Sequence, residues 1–216
     1  MRIESRFFVN LNEKHMRKHR DAQRQKQGAS DTWFDEDLQL ARYKLSQGSS
    51  FIGKTLLQTN FRSNYGCNIL QVTTPNKAVD MPGAEHVLEA DSSILVIGTR
   101  EQFKMLTAAI EGKKVDLEQV ATPLSLREFM LHDHEEEPEL RFLSLAITID
   151  QHSKLLGKSI KDANIRENWS ALVIGLERGA YTMTNPNVSL TFEKGDLLWI
   201  LGKQKMMNTL IKEEVL

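Results

Sequence analysis

The stretch Gly53-Lys54-Thr55-Leu56 returns as Gly157-Lys158-Ser159-Ile160, 104 residues further on (157 minus 53). The register continues without a gap: Asn60, Arg62 and Asn64 fall on Asn164, Arg166 and Asn168, and Tyr65 falls on Trp169. Pro82 falls on Pro186, Glu89 on Glu193, Gly98 on Gly202 and Leu106 on Leu210. Residue class agrees more widely than identity. Ile69-Leu70 meets Val173-Ile174, and Ile94-Leu95-Val96-Ile97 meets Leu198-Trp199-Ile200-Leu201. Short apolar runs bounded by turn residues are the mark of buried strands, so their recurrence in one register reads as a duplicated unit.

Working outward from that register, each copy has the same order of elements. A strand leads in (Leu38 to Ser46; Arg141 to Ile149), and a short helix starts near the Gly-Lys pair, with Leu56, Leu57 and Phe61 at helical spacing. A buried strand follows (Asn68 to Thr73; Leu172 to Leu176), then a turn at Pro75-Asn76-Lys77 or Glu177-Arg178-Gly179 leads to Pro82 or Pro186. A last strand ends at Gly98 or Gly202, and a closing helix begins beyond it. The expected class is α/β (α+β): two tandem small units, each with a mixed β-sheet and short helices, preceded by a basic N-terminal helix. The expected boundaries are a helix and linker over 1–30, a first unit over 31–112, a linker with an acidic run over 113–139 and a second unit over 140–216. Roughly 70 residues make a small core, so each unit is expected to pair with another copy.

Composition narrows the function. The 216 residues carry 28 Lys and Arg against 29 Asp and Glu, a net charge of −1, which gives no global attraction to nucleic acid or anionic lipid. No apolar run approaches the ~20 residues of a membrane span, and Met1 to Arg6 lacks the apolar stretch of a secretion signal. Cys67 is the only cysteine, so neither an internal disulfide nor a cysteine-built metal site exists, in keeping with a reducing compartment. These features point to a soluble, cytoplasmic chain. Locally the charge is uneven. Between Arg2 and Lys26 basic residues predominate around an apolar stripe of Ile3, Phe7 and Leu11, whereas Asp133 to Glu139 is acidic.

Several motifs invite chemistry. Gly48-Ser49-Ser50-Phe51-Ile52-Gly53-Lys54-Thr55 formally matches a phosphate-binding loop. The second copy lacks the first glycine, however, and Phe51 and Ile52 stand where backbone would wrap phosphate, so a helix start packed on the sheet is the better reading. No Gly-x-Gly-x-x-Gly is present to approach a dinucleotide pyrophosphate. His15 and His19 stand four apart, but among basic residues that repel a cation. His132-Asp133-His134 precedes Glu135 to Glu137 in what reads as a solvated acidic loop. Cys67, replaced by Ala171 in the second copy, reads as a small packed residue.

Taken in order, Ser50-Phe51-Ile52-Gly53-Lys54-Thr55-Leu56, Phe61-Arg62-x-x-Tyr65-Gly66-Cys67-Asn68-Ile69-Leu70, Pro82 and Ala90-Asp91 before Ile94-Leu95-Val96-Ile97-Gly98 resemble the RCK C-terminal domain, also called TrkA-C. The second copy carries that family's Gly-Asp before its last strand, in Gly195-Asp196, where the first has Asp91-Ser92. The resemblance covers about residues 38–110 and 140–214. It implies a non-enzymatic, dimerising, ligand-sensing module of potassium channels, cation/proton antiporters and related permeases. In some relatives the dimer interface binds a cyclic dinucleotide. Carried over, that implies cyclic di-AMP or another adenine nucleotide held by Arg62, Asn68, Ile69 and Pro82. In the second copy Arg166, Val173 and Pro186 match, while Leu172 replaces the asparagine. Two such domains without a Rossmann partner resemble the tail of a potassium or sodium/proton antiporter at the cytoplasmic face of the membrane. The implied partners are a membrane-embedded portion upstream of Met1 and a second copy in a homodimer, with no nucleic acid. The rival expectations are a purely structural dimerisation module and a nucleotide-hydrolysing enzyme using the Gly48–Thr55 loop.

Overall fold

A computed structural model describes residues 37–132 and 142–215. The basic leader and the acidic run from Asp133 lie outside the described residues. The remaining chain forms two units, each described by itself.

In the first unit, β1 (Leu38–Leu45) is followed by α1 (Leu56–Thr59), α2 (Phe61–Tyr65), β2 (Asn68–Thr73), β3 (Ala78–Asp80), β4 (Ser93–Thr99) and α3 (Arg100–Glu111). The sheet order is β3-β2-β4-β1, with β5 (Leu117–Gln119) on the far side of β1, and every pair is antiparallel. The sheet is therefore not mixed. The α1–α2 crossover returns the chain in β1's direction, but one strand away, and β4 fills the gap antiparallel to both neighbours. The segment after α3, expected as linker, instead supplies β5 (Leu117–Gln119), β6 (Leu124–Ser125) and α4 (Leu126–His132); both strands pair with β1. They satisfy the outer edge of β1, which would otherwise present unpaired backbone groups.

The second unit repeats the pattern with β7 (Phe142–Thr148), α5 (Ile165–Trp169), β8 (Ala171–Arg178), β9 (Tyr181–Thr184), β10 (Leu197–Lys203) and α6 (Gln204–Val215), in sheet order β7-β10-β8-β9. The 104-residue register extends to backbone detail. Leu70 is the extra residue of a bulge between β2 and β4, and Ile174 is the extra residue between β8 and β10. Left-handed backbone recurs at Gly53 and Gly157, Asn60 and Asn164, Met81 and Asn185, and Asp91 and Gly195. Isolated bridges join Thr55 to Val87 and Ser159 to Thr191.

The single helix expected after the Gly-Lys pair is broken at Asn60, whose φ of 48° ends α1 and starts α2. Asparagine tolerates that region better than most residues, which accounts for its return at Asn164. Thr55 caps α1 in a capping box with Gln58, and Thr99 caps α3 with Gln102. Each unit has its own core: Tyr43, Ile69, Ile94, Val96, Phe103 and Leu106 in the first, and Leu145, Val173, Leu176, Leu198, Ile200 and Leu210 in the second. Gly98 and Gly202 allow the closing helix to approach. A Cβ at Gly98 would lie 2.8 Å from the Cys67 sulfur, and one at Gly202 2.8 Å from the Met207 sulfur. No described helix is long and apolar enough to cross a membrane.

Candidate ligand site

In the first unit α2 delivers Arg62 one turn before the chain enters β2. Gly66, at φ 71°, closes the helix by donating its N–H to the Arg62 carbonyl at 2.8 Å. Asn68 and Ile69 then open β2, opposite Ile97 and Val96, and both are buried. Met81 donates its N–H to the Leu70 carbonyl at 2.6 Å, which brings the buried Pro82 back to the same end of β2. Three separated pieces of sequence thus meet at one strand start. Burial holds the Arg62 guanidinium below its ordinary value, so this cation is partly stripped of water. Ile69 sits in the apolar core. A partly desolvated guanidinium in the helix that leads into a strand opening on a carboxamide supplies groups of the kind that suit an anionic ligand with hydrogen-bonding edges.

The second unit rebuilds this corner with exchanges. Arg166 lies in α5, which ends at Ser170 in the left-handed region (φ 46°). Val173 belongs to the core and Pro186 is buried. Leu172 occupies the place of Asn68 and is 6% exposed. Asn185 occupies the place of Met81 and donates its N–H to the Ile174 carbonyl at 2.8 Å.

The Gly48–Thr55 loop is built differently from a phosphate cradle. Its N–H groups are already committed: Gly53 donates to the Leu88 carbonyl at 2.8 Å, Lys54 to Phe51 at 3.1 Å and Ile52 to Ser49 at 3.1 Å. The two following residues, Leu56 and Leu57, donate to His86 and Ala84. The helix it opens has only four residues. The loop is a strap held to the segment before β4.

The sequence reading missed a polar clamp in the second unit. Arg178 gives two hydrogen bonds at 2.8 Å to Asp196, which is 1% exposed, and also reaches Glu193 and the Thr191 carbonyl. Asp196 further accepts from the Glu193 N–H. Arg178 is held above its ordinary value chiefly by its hydrogen bonds to Asp196. The signal was present in the Gly195-Asp196 pair, but nothing in the sequence tied it to an arginine eighteen positions earlier. The first unit has Thr74 and Ser92 at these two places, and the buried Ser92 hydroxyl has no partner. The units also differ at mid-sheet. Leu95 is flanked by Arg42 and Gln71, which hydrogen-bond over it at 3.1 Å; Trp199 is flanked by Ala146 and Gly175 and donates to Glu177. Small neighbours make room for the indole.

Two α+β units repeated in register, each with an arginine, a strand start and a buried proline at one corner, define a duplicated small-domain architecture. The TrkA-C domain family matches residues 40–111 and 145–214, and the chain belongs to that family. Among proteins it resembles, an uncharacterized transporter of Escherichia coli, YfbS, is 24% identical over 176 residues, covering 80% of this chain and 27% of that protein. An uncharacterized transporter of Synechocystis, sll0640, is 25% identical over 159 residues, covering 73% of this chain and 25% of that protein. The chain thus spans about a quarter of the length of these relatives. The RCK C domain of the potassium transport protein KtrA, solved in complex with cyclic diadenosine monophosphate, is 23% identical with a TM-score of 0.34; the match covers 41% of this chain and 94% of that one.

Proposed function

We propose that this chain is the ligand-sensing regulatory region of a cation transporter, with the membrane portion in the same polypeptide and the two units at the cytoplasmic face. The observation that carries the reading is that the chain places the partly desolvated Arg62 in the helix leading into β2, Asn68 at the opening of that strand, and Pro82 next to Met81, whose N–H bonds the Leu70 carbonyl; Arg166 and Pro186 occupy the same places in the second unit. It is supported by family membership and by the similarity to segments of two transporters. The ligand class is an adenine nucleotide carrying phosphodiester charge, with cyclic di-AMP as the first candidate. Arginine pairs the phosphate, the asparagine amide reads an edge, and proline with neighbouring apolar groups forms the wall. The region acts without catalysis. Ligand binding favours one arrangement of paired domains, and the shift is limited to the ligand's differential affinity for the two arrangements. Potassium or sodium exchanged for protons is the proposed cargo, and a homodimer the proposed assembly.

The test is a melting-temperature titration of purified protein with cyclic di-AMP, AMP, ATP and NADH. A ligand at a hundred times its Kd adds about 2.7 kcal/mol, so one member of the panel should raise the melting temperature by several degrees; Arg62→Ala should diminish the rise, and Arg62→Ala with Arg166→Ala should abolish it. No response to any of the four would overturn the reading.

A further inference from the structure

The first sheet carries a second half-buried arginine. Arg42 and Lys44 alternate on β1 with the core residues Ala41, Tyr43 and Leu45, so both stand on the face turned away from that core. The strand registers set two rows there. Arg42, Leu95 and Gln71 lie side by side across β1, β4 and β2, and Lys44, Ser93 and Thr73 form the next row. Arg42 donates to the Gln71 carboxamide oxygen at 3.1 Å and to the Thr73 hydroxyl at 3.3 Å. Asp80 accepts from the Gln71 Nε2 at 2.8 Å, which leaves the amide oxygen to face Arg42.

Both partners of Arg42 are neutral. A guanidinium has five N–H donors; two are committed here, and among the described residues no carboxylate pairs with it. Two acids flank the rows: Asp80, already engaged by Gln71, and Glu118, which stands opposite Lys44 on β5. Burial holds Arg42 below its ordinary value. A cation that has lost part of its water and meets only neutral oxygens is costly to keep. The sheet does not require it. The second unit builds the same rows from Ala146, Trp199 and Gly175, then Thr148, Leu197 and Glu177, with no cation in either.

We propose that Arg42 anchors an anion site on this face of the first unit, which takes a small doubly charged oxyanion of the phosphate or dicarboxylate class. The uncommitted N–H groups of Arg42 offer paired donors to two oxygens. The exposed Lys44 adds a second positive charge and Ser93, next to it in register, a hydroxyl. The site stands apart from the ligand-sensing corner, which uses the opposite end of β2.

The test is an NMR titration of the whole chain with sodium phosphate and, in a separate arm, sodium succinate, at neutral pH and constant ionic strength. The Arg42 Nε–Hε signal and the amides of residues 42–44, 71–73 and 93 should shift and saturate with at least one of the two anions, and the stronger arm identifies the class. Arg42→Gln should weaken that binding about tenfold, with its melting temperature in the absence of anion reporting folding. Lys44→Gln, a change at an exposed side chain, should weaken it less. Shifts that rise without saturation in both arms, saturation that survives Arg42→Gln, or shifts confined to residues 62–70 and 166–174 would overturn the site.

Discussion

The two units share a backbone almost residue for residue, yet the segment entering the last strand is held in different ways. In the second unit Arg178, Asp196 and Glu193 form a charged clamp whose central carboxylate is buried. In the first unit the corresponding Thr74 turns to the Lys77 carbonyl, and Ser92 is buried without a partner. The strand register survives both solutions because it rests on apolar side chains and ladder bonds. What differs is the cost of disturbing the polar groups. A buried carboxylate is tolerable only while its cation and N–H partners stay in place, whereas a small unpaired hydroxyl can be removed cheaply.

This contrast gives the largest expected effect. Arg178→Ala leaves Asp196 buried beside one N–H donor and should cost the second unit about 3 kcal/mol, read as a lower urea midpoint by hydrogen exchange resolved over β8 and β10. Ser92→Ala at the equivalent place in the first unit should be neutral or slightly stabilising. Equal losses would erase the proposed difference.

The closing-helix contact sharpens the comparison at a smaller scale. Gly98→Ala drives a methyl group towards the Cys67 sulfur and the Gln102 side chain, which is tied into the α3 capping box. It should cost about 2 kcal/mol in thermal or urea unfolding. Gly202→Ala meets the buried Met207 thioether and also the Ala171 Cβ at 3.1 Å and the Ser170 backbone carbonyl at 3.2 Å, which cannot swing aside, so the loss should be at least as large.

Cys67 offers a chemical readout that the second unit lacks. Burial pushes its thiol up to about 12, from an ordinary value near 9, so the folded protein should resist alkylation at pH 8 and react once unfolded. The folded state holds this proton more tightly than the unfolded state. Its contribution to stability is therefore full below pH 9 and declines as pH rises towards 12. Cys67→Ala, the residue found at position 171, should flatten that part of the alkaline stability profile.

The sequence revealed the fold's periodic features and missed those created by distance. The apolar runs at Ile94 to Ile97 and Leu198 to Leu201 announced central strands because both faces of each are packed. Asn60 interrupted the expected single helix through a backbone angle that helical spacing alone does not encode. The strands at Leu117–Gln119 and Leu124–Ser125 are too short to show a period, and they form because β1 offers an edge. At the corner, Arg62, Asn68 and Pro82 are candidates that the resemblance alone singles out. Met81 and Asn185 were not legible, since their place beside the bulge depends on a hydrogen bond between separate strands.

Amide chemical shifts followed by NMR during addition of cyclic di-AMP test the central claim most directly. The account predicts perturbations clustered at residues 62–70 and 81–83, with a second cluster at 166–174 and 185–187. Shifts confined to residues 48–55, or a spectrum unchanged at millimolar ligand, would contradict it.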